Sequence, residues 1–368
     1  MMNNPDTPAA PPPARLPAFL KTAFRILFGL ALAAILVAYT LRANGTRLSQ
    51  VLPRASIPLL ATALGVYGLV ILITVARWNI LLRVQGIHLH PWEVIRLTMI
   101  GVFFNLAIPG AVGGDLIKMG YVARQTPGKR TEAILTILLD RIIGLLALFM
   151  VAAVMVLASL PVLQRISGRE PAVAASAYLV GAGSIAGILA TLAIEYRRLF
   201  LRLRPVAAAV AWAARIGPAG VVHTVERVVA ALELYRTRRR SVLAALALAF
   251  AVHSLLSIDY FLIGRAIGEQ RLTLGNYFLT TQIANAAGAI PVTPSGIGAR
   301  DGVASLFFRT LGGDPQLCGA IPVLLSVIMV FWSMVGAVIF MFSKGIRQAW
   351  IEDVTRGQTP ETPNAGTR

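Results

Sequence analysis

Charge-free apolar runs recur along the chain at 55–76, 142–164, 171–194 and 315–343. Each is long enough to cross a hydrocarbon core of roughly 30 Å. With the less uniform stretches between them, the pattern predicts helices at about 22–41, 57–76, 132–160, 172–194, 241–264 and 317–342. The first of these carries an apolar run at 27–41 that follows Lys21 and Arg25 and is closed by Arg42, not by a small-residue cleavage site. It reads as a retained helix, not a signal peptide.

Two further apolar segments, near 94–119 and 275–311, are broken in the same way. Residues 105–118 (NLAIPGAVGGDLIK) and 285–301 (NAAGAIPVTPSGIGARD) each bring Pro, a Gly cluster and an acid into an apolar run. Pro removes a backbone donor and Gly loosens the helix, so both segments should unwind. Unwound backbone at membrane depth persists only when buried in protein or lining a polar cavity. Pro109 is followed by Gly113 and Asp115, Pro294 by Gly298 and Asp301, and Asn105 and Asn285 open the two segments. Broken helices at matching places in two halves point to a transporter's midplane site.

Composition agrees with a membrane chain: 57% of the 368 residues are hydrophobic and the mean hydropathy is +0.72. The net charge of +18 is distributed as a topology signal, not as a nucleic-acid footprint. Residues 195–240 hold ten Arg against three Glu, and the tail adds Lys344, Arg347, Arg356 and Arg368. By the positive-inside rule both regions, and both termini, are expected on the cytoplasmic side of the cytoplasmic membrane. The long loop carries Leu199, Leu203, Val206 and Val210 on one helical face, an expected interfacial helix that could contact anionic lipid. Keeping the basic loops on one side requires each broken segment to return to the side it left. They become re-entrant hairpins inserted from opposite faces. The expected fold is therefore an all-α polytopic membrane protein, with about six full transmembrane helices and two re-entrant hairpins in an inverted repeat. Its parts are a Pro-rich disordered tail (1–20), the membrane domain (21–343) and a cytoplasmic tail (344–368).

Charges inside the spans supply the candidate chemistry. Asp140 sits near the bilayer centre, where exposure to lipid would cost about 2.5 to 3.5 kcal/mol. Arg141 projects about 100° away from it, so each needs its own partner. The expected pairs are Arg141 with Asp115 and Asp140 with Arg300; a register-fixing ion pair is the structural alternative. Asp259 is expected near the outer interface, Arg77 and Trp78 as interfacial anchors, and His253 as a packing residue. His88 and His90 lack a third ligand, and Cys318 is the only cysteine, so no metal and no disulfide are expected. No Walker A loop, GxSxG elbow or HExxH helix occurs, which removes support for ATP-driven transport and standard hydrolysis.

The phrases FFNLAIPGAVGGDLIKMGYVAR, LLDRIIGLLAL and PVTPSGIGARDG, in that order, resemble the lysylphosphatidylglycerol synthase transmembrane family, the flippase-like domain also called UPF0104. The resemblance runs from about 20 to 343. It implies handling of an amphiphilic lipid, and it maps Asn105, Pro109, Gly113, Gly114, Asp115, Asp140, Arg141, Pro294, Gly296 and Gly298 onto the family's characteristic positions. Where the family often carries Arg and Glu, this chain has Lys118 and Asp301, which alters phosphate grip and carboxylate reach. No aminoacyl-transfer motif lies in the 25 residues after 343, so synthesis of the aminoacylated lipid is not expected of them.

The reading that follows is a lipid flippase or transporter for a phospholipid, an aminoacylated lipid or an isoprenoid-type lipid. Lys118, Arg141 and Arg300 would grip a phosphate, while Asp115, Asp140 and Asp301 orient them or exchange protons. The hairpins would meet at the midplane, with Asp115 and Asp301 facing a shared cavity. Partners are membrane lipids and lipid-biosynthesis enzymes; no cofactor, metal or nucleic acid is called for. Two alternatives are a membrane-embedded transferase acting on a polyprenyl or glycerolipid carrier, with Asp115 or Asp301 as base, and a scaffold for a lipid-synthesis complex. A new product by mass spectrometry would mark the transferase, and indifference to neutralised acids the scaffold.

Overall fold

The structure is a computed structural model that describes residue 38 and residues 51–107, 113–195 (side chains to 189), 234–235, 237–289 and 296–343. The expected first helix, save Ala38, the interfacial helix, both tails, Pro109 and Pro294 lie outside the described residues. A single 3-10 turn, Leu52–Arg54, precedes the first described helix, and all regular elements among the described residues are helical. In order they are α1 (Ile57–Val84), α2 (Pro91–Ala107), α3 (Gly113–Gln125), α4 (Arg130–Ala158), α5 (Leu160–Ser167), α6 (Pro171–Glu195), α7 (Arg239–Ala266), α8 (Leu274–Gly288), α9 (Ala299–Thr310) and α10 (Ala320–Phe342). Among them α1, α4, α6, α7 and α10 are long and apolar enough to cross a membrane. This is a polytopic all-α membrane fold, and the expected full helices after the first are all present.

Lipid is as apolar as leucine, so helices here associate through close packing and polar contacts instead of water exclusion. Small residues provide the closeness. A Cβ on Gly68 of α1 would lie 2.5 Å from the Trp332 ring of α10, and one on Gly336 of α10 would lie 2.2 Å from the Met99 carbonyl oxygen of α2. Gly181 and Gly187 of α6 likewise meet Val156 and Phe149 of α4. α1 and α7 run antiparallel: the Ser56 N–H donates to the Ala266 carbonyl at one end (2.8 Å), and Tyr235 donates to the Leu81 carbonyl at the other (2.9 Å).

Both broken segments are helical hairpins. In the first, Gln125 reaches Glu93 at the open end (3.5 Å), Lys118 packs on Gly101 midway, and Asn105 binds the Gly114 N–H at the tip (2.9 Å). In the second, Tyr277 and Phe308 rings lie 5.2 Å apart near the open end, Ile283 and Phe307 share a cluster, and Gly288 touches Arg300 at the tip. Glycine permits each tip to close. A Cβ on Gly114 would stand 1.9 Å from the Gly101 carbonyl oxygen, and one on Gly296 would stand 2.9 Å from that of Gly288.

The hairpins insert from opposite ends of the bundle. The first packs in a core with Val75, Trp78 and Leu82 from the C-terminal half of α1, and Ala337 and Phe340 from the end of α10. The second packs with Ala63 from the start of α1, and Ala320 and Ile321 from the start of α10. α1 is 28 residues long, about 42 Å at the usual rise, so these cores occupy opposite membrane faces. Leu106, just before the first break, and Ile297, just after the second, meet in a small cluster against Val330 of α10. The residues flanking the two breaks therefore meet mid-bundle.

Candidate functional site

The first hairpin delivers its acid into a group of five charges. Arg77 of α1 donates from Nε to Asp140 Oδ1 (2.7 Å) and from Nη2 to Asp140 Oδ2 (2.9 Å). Arg141, next along α4, pairs through Nε with Asp115 of α3. Lys118, one turn after Asp115, is buried. Its Nζ rests 3.9 Å from the centre of the Trp78 ring, and it makes no hydrogen bond or ion pair among the described residues. Trp78 is fixed in turn by donating Nε1–H to Thr136 Oγ1 (3.0 Å). A cation over indole gains roughly 2 kcal/mol or more when desolvated, less than a buried ammonium loses in hydration.

The sum of these charges is informative. Arg77, Lys118 and Arg141 stand against Asp115 and Asp140, so among the described residues the group carries one more cation than acid. Four of the five are buried, while the Arg141 side chain remains 47% exposed. An anion presented from the Arg141 side would complete the balance.

The second hairpin builds a smaller, neutral group. Arg300 donates to Asp301 Oδ1 from Nε (3.1 Å) and Nη2 (2.8 Å), and Nη2 also reaches Ser326 Oγ of α10 (2.6 Å). Ser326 donates to Asp301 Oδ2 (2.6 Å), closing the ring of contacts. Gly298, with φ of 92°, sits in a conformation that glycine tolerates and sets the start of α9. Between the groups, His253 of α7 contacts the Gly144 carbonyl of α4 through Nε2 (3.0 Å), as a packing histidine should. Gln282 of α8 joins in by donating to Ser257 (3.0 Å).

Several expectations change. The Asp115 and Arg141 pairing is present, but Asp140 takes Arg77, not Arg300, because α1 continues past 76 and carries Arg77 into the bundle. Arg77 and Trp78 are therefore buried, not interfacial anchors. Asp259 is fully buried instead of lying near the outer interface, since α1, α8 and α10 close over this part of α7. Arg300 belongs with Asp301 and Ser326, so Lys118, Arg141 and Arg300 do not form one cation set. Asp115 and Asp301 sit in separate ion-paired groups. The Gly114 N–H that might serve an anion is already taken by Asn105. Sequence reading missed Arg77, Trp78, Thr136 and Ser326 as site members. The apolar residues Ile80, Leu81 and Leu82 beyond Arg77 were the available signal that the helix runs on.

Comparison with known proteins fits this arrangement. The family model described as the lysylphosphatidylglycerol synthase TM region matches residues 26–339, which includes both hairpins and both charged groups. The chain is also similar to the UPF0104 membrane protein PH1989 of Pyrococcus horikoshii, at 29% identity over 129 residues, or 34% of this chain. It spans 38% of that relative's length. With a family match over most of its length, a multi-pass helical fold and paired charges inside it, the chain belongs to the lysylphosphatidylglycerol synthase transmembrane-region family.

Proposed function

We propose that the chain moves a lipid with an anionic headgroup across the membrane, and that Lys118 with Arg141 receives the headgroup phosphate. The observation that carries this is the buried Lys118, without an ion pair among the described residues, in a group that there holds one more cation than acid. Lys supplies a compact charge and Arg141 a planar fork, and together they suit a phosphate oxygen set. Family membership supports a role in lipid handling. The contact of Leu106 with Ile297 supports a path between the faces, because it brings the residues flanking the two breaks to one level. Arg77 and Asp140 serve as the fixed wall of this site, and Asp115 holds Arg141 until phosphate competes for it. No nucleotide motif is present in the chain, so movement is facilitated or driven by an ion gradient.

The test is translocation of a headgroup-labelled anionic lipid in liposomes containing the purified full chain. Lys118→Met, Arg141→Ala and Asp115→Asn should each slow it while the protein still elutes as a folded species. Wild-type rates in all three would overturn the assignment.

A further inference from the structure

Asp259 of α7 takes no part in the site described above. It is fully buried, and neither carboxylate oxygen has a hydrogen-bond partner among the described residues. Tyr67 of α1 lies within electrostatic reach of both Asp259 and Arg300, and so does Tyr260, whose hydroxyl is also buried and unpartnered among the described residues. The other helices packed on α7 add little. α8 carries only Tyr277 as a titratable residue, one turn beyond at Gly264, and α10 carries none. α4 offers Asp140 and Arg141, both already engaged. Asp259 thus faces the hydroxyls of Tyr67 and Tyr260, and these two tyrosines in turn face Arg300.

An ionised carboxylate without a partner in an apolar interior costs many kcal/mol, whereas the neutral acid costs far less. Tyr67 and Tyr260 offer the means to tolerate the ionised form, because a phenol can donate to a carboxylate. On their other side lies Arg300, whose Nε and Nη2 are held by Asp301 and Ser326 while Nη1 donates to the Met329 thioether, at 2.7 Å, a weak acceptor. A carboxylate at Asp259 would draw the phenol hydrogens and leave the phenol oxygens free to accept from that guanidinium.

We infer that Asp259 is a proton-binding site whose charge state sets the hold of Asp301 on Arg300, and that this proton drives the lipid movement proposed above. The second clause rests on that reading; the first does not. With the proton on, the O–H bond leaves Asp259 neutral and Arg300 stays with Asp301. With the proton lost to water, the carboxylate takes the phenol hydrogens of Tyr67 and Tyr260, whose oxygens then compete with Asp301 for Arg300 and loosen the start of α9, the second arm of the hairpin. A metal ion is a poorer occupant, because a hard cation needs a shell of several oxygens. Among the described residues no group of three His, Cys, Asp or Glu gathers anywhere in the fold.

Infrared difference spectra of the purified full chain across a pH titration test the site directly. A titrating carboxylic-acid C=O band is expected in the wild type, absent in Asp259→Asn and displaced but present in Asp259→Glu. An unchanged band in Asp259→Asn, or no titrating band in the wild type, overturns the proton site. In liposomes, a one-unit pH gradient should bias a labelled lipid between leaflets by a factor of about ten per coupled proton. Asp259→Asn should abolish that bias, and Asp259→Glu, which keeps the acid, should retain part of it. A bias set by sodium instead of pH overturns the proton assignment, and lipid movement indifferent to both overturns the coupling. If the wild type moves no lipid, the transport reading fails, while the infrared result still decides the site.

Discussion

Arg77 and Asp140 are joined by two parallel hydrogen bonds, at 2.7 and 2.9 Å, between the middle of α4 and the inner half of α1. The pair is buried on both sides, so removing one partner leaves a lone charge. Arg77→Ala or Asp140→Ala should therefore lower stability by about 3 to 5 kcal/mol. The double variant Arg77→Leu with Asp140→Leu should recover most of that loss. Thermal unfolding in detergent measures both, and equal damage in single and double variants would refute the pairing as the cause.

Lys118 should separate stability from binding. Lys118→Met keeps an unbranched side chain that can still pack against Trp78 but removes a buried charge that has no ion pair among the described residues. Stability should rise, by on the order of 1 kcal/mol, while affinity for an anionic headgroup should fall about tenfold or more, equivalent to 1.4 kcal/mol. Melting temperatures with and without added anionic lipid read the two effects in one experiment.

Two glycines of α3 provide a matched comparison. A Cβ at Gly114 collides with the Gly101 carbonyl, while one at Gly120 meets nothing within 4 Å. Gly114→Ala should destabilise by at least about 1 to 3 kcal/mol, the cost of overpacking a filled site. Gly120→Ala should be neutral or slightly stabilising, because alanine is the better helix former. Yield of folded protein and melting temperature distinguish the outcomes.

Cys318, in the turn before α10, should be inert in the folded protein. It is wholly buried, and burial, with Glu269 nearby adding to it, pushes its thiol up to about 12. The thiolate is the reactive form, so labelling by a maleimide near neutral pH should be negligible until the chain is unfolded, then complete. Fast labelling of the native protein would show that the turn opens.

What could be read from the sequence was whatever rests on local chemistry. The two breaks, their hairpin form and their opposite insertion follow from Pro, Gly and the alternation of basic loops, and the structure bears out the hairpins within the described residues. The Asp115 and Arg141 pair was also legible, since both charges had to find mates inside the membrane. Partners fixed by helix length were not. Ending the first described helix at 76 instead of 84 placed Arg77 at an interface and left Asp140 to be matched with Arg300. The end of α7 lies within two residues of its expected place, yet Asp259 was set near an interface because the helices that cover it are distant in sequence. Helix ends in apolar sequence carry weak signals, and an error of one or two turns moves a charge by about 5 to 10 Å, enough to change its partner.

The glycine contacts at the two tips limit how this bundle can rearrange. With the Gly101 and Gly288 carbonyls lying where opposing side chains would otherwise stand, neither hairpin has slack along its seam. Prying its arms apart would surrender the tightest contacts it owns. Any tilt would have to carry each as a stiff wedge, and the small contact of Leu106 and Ile297 on Val330 is where the two wedges would bear on one another.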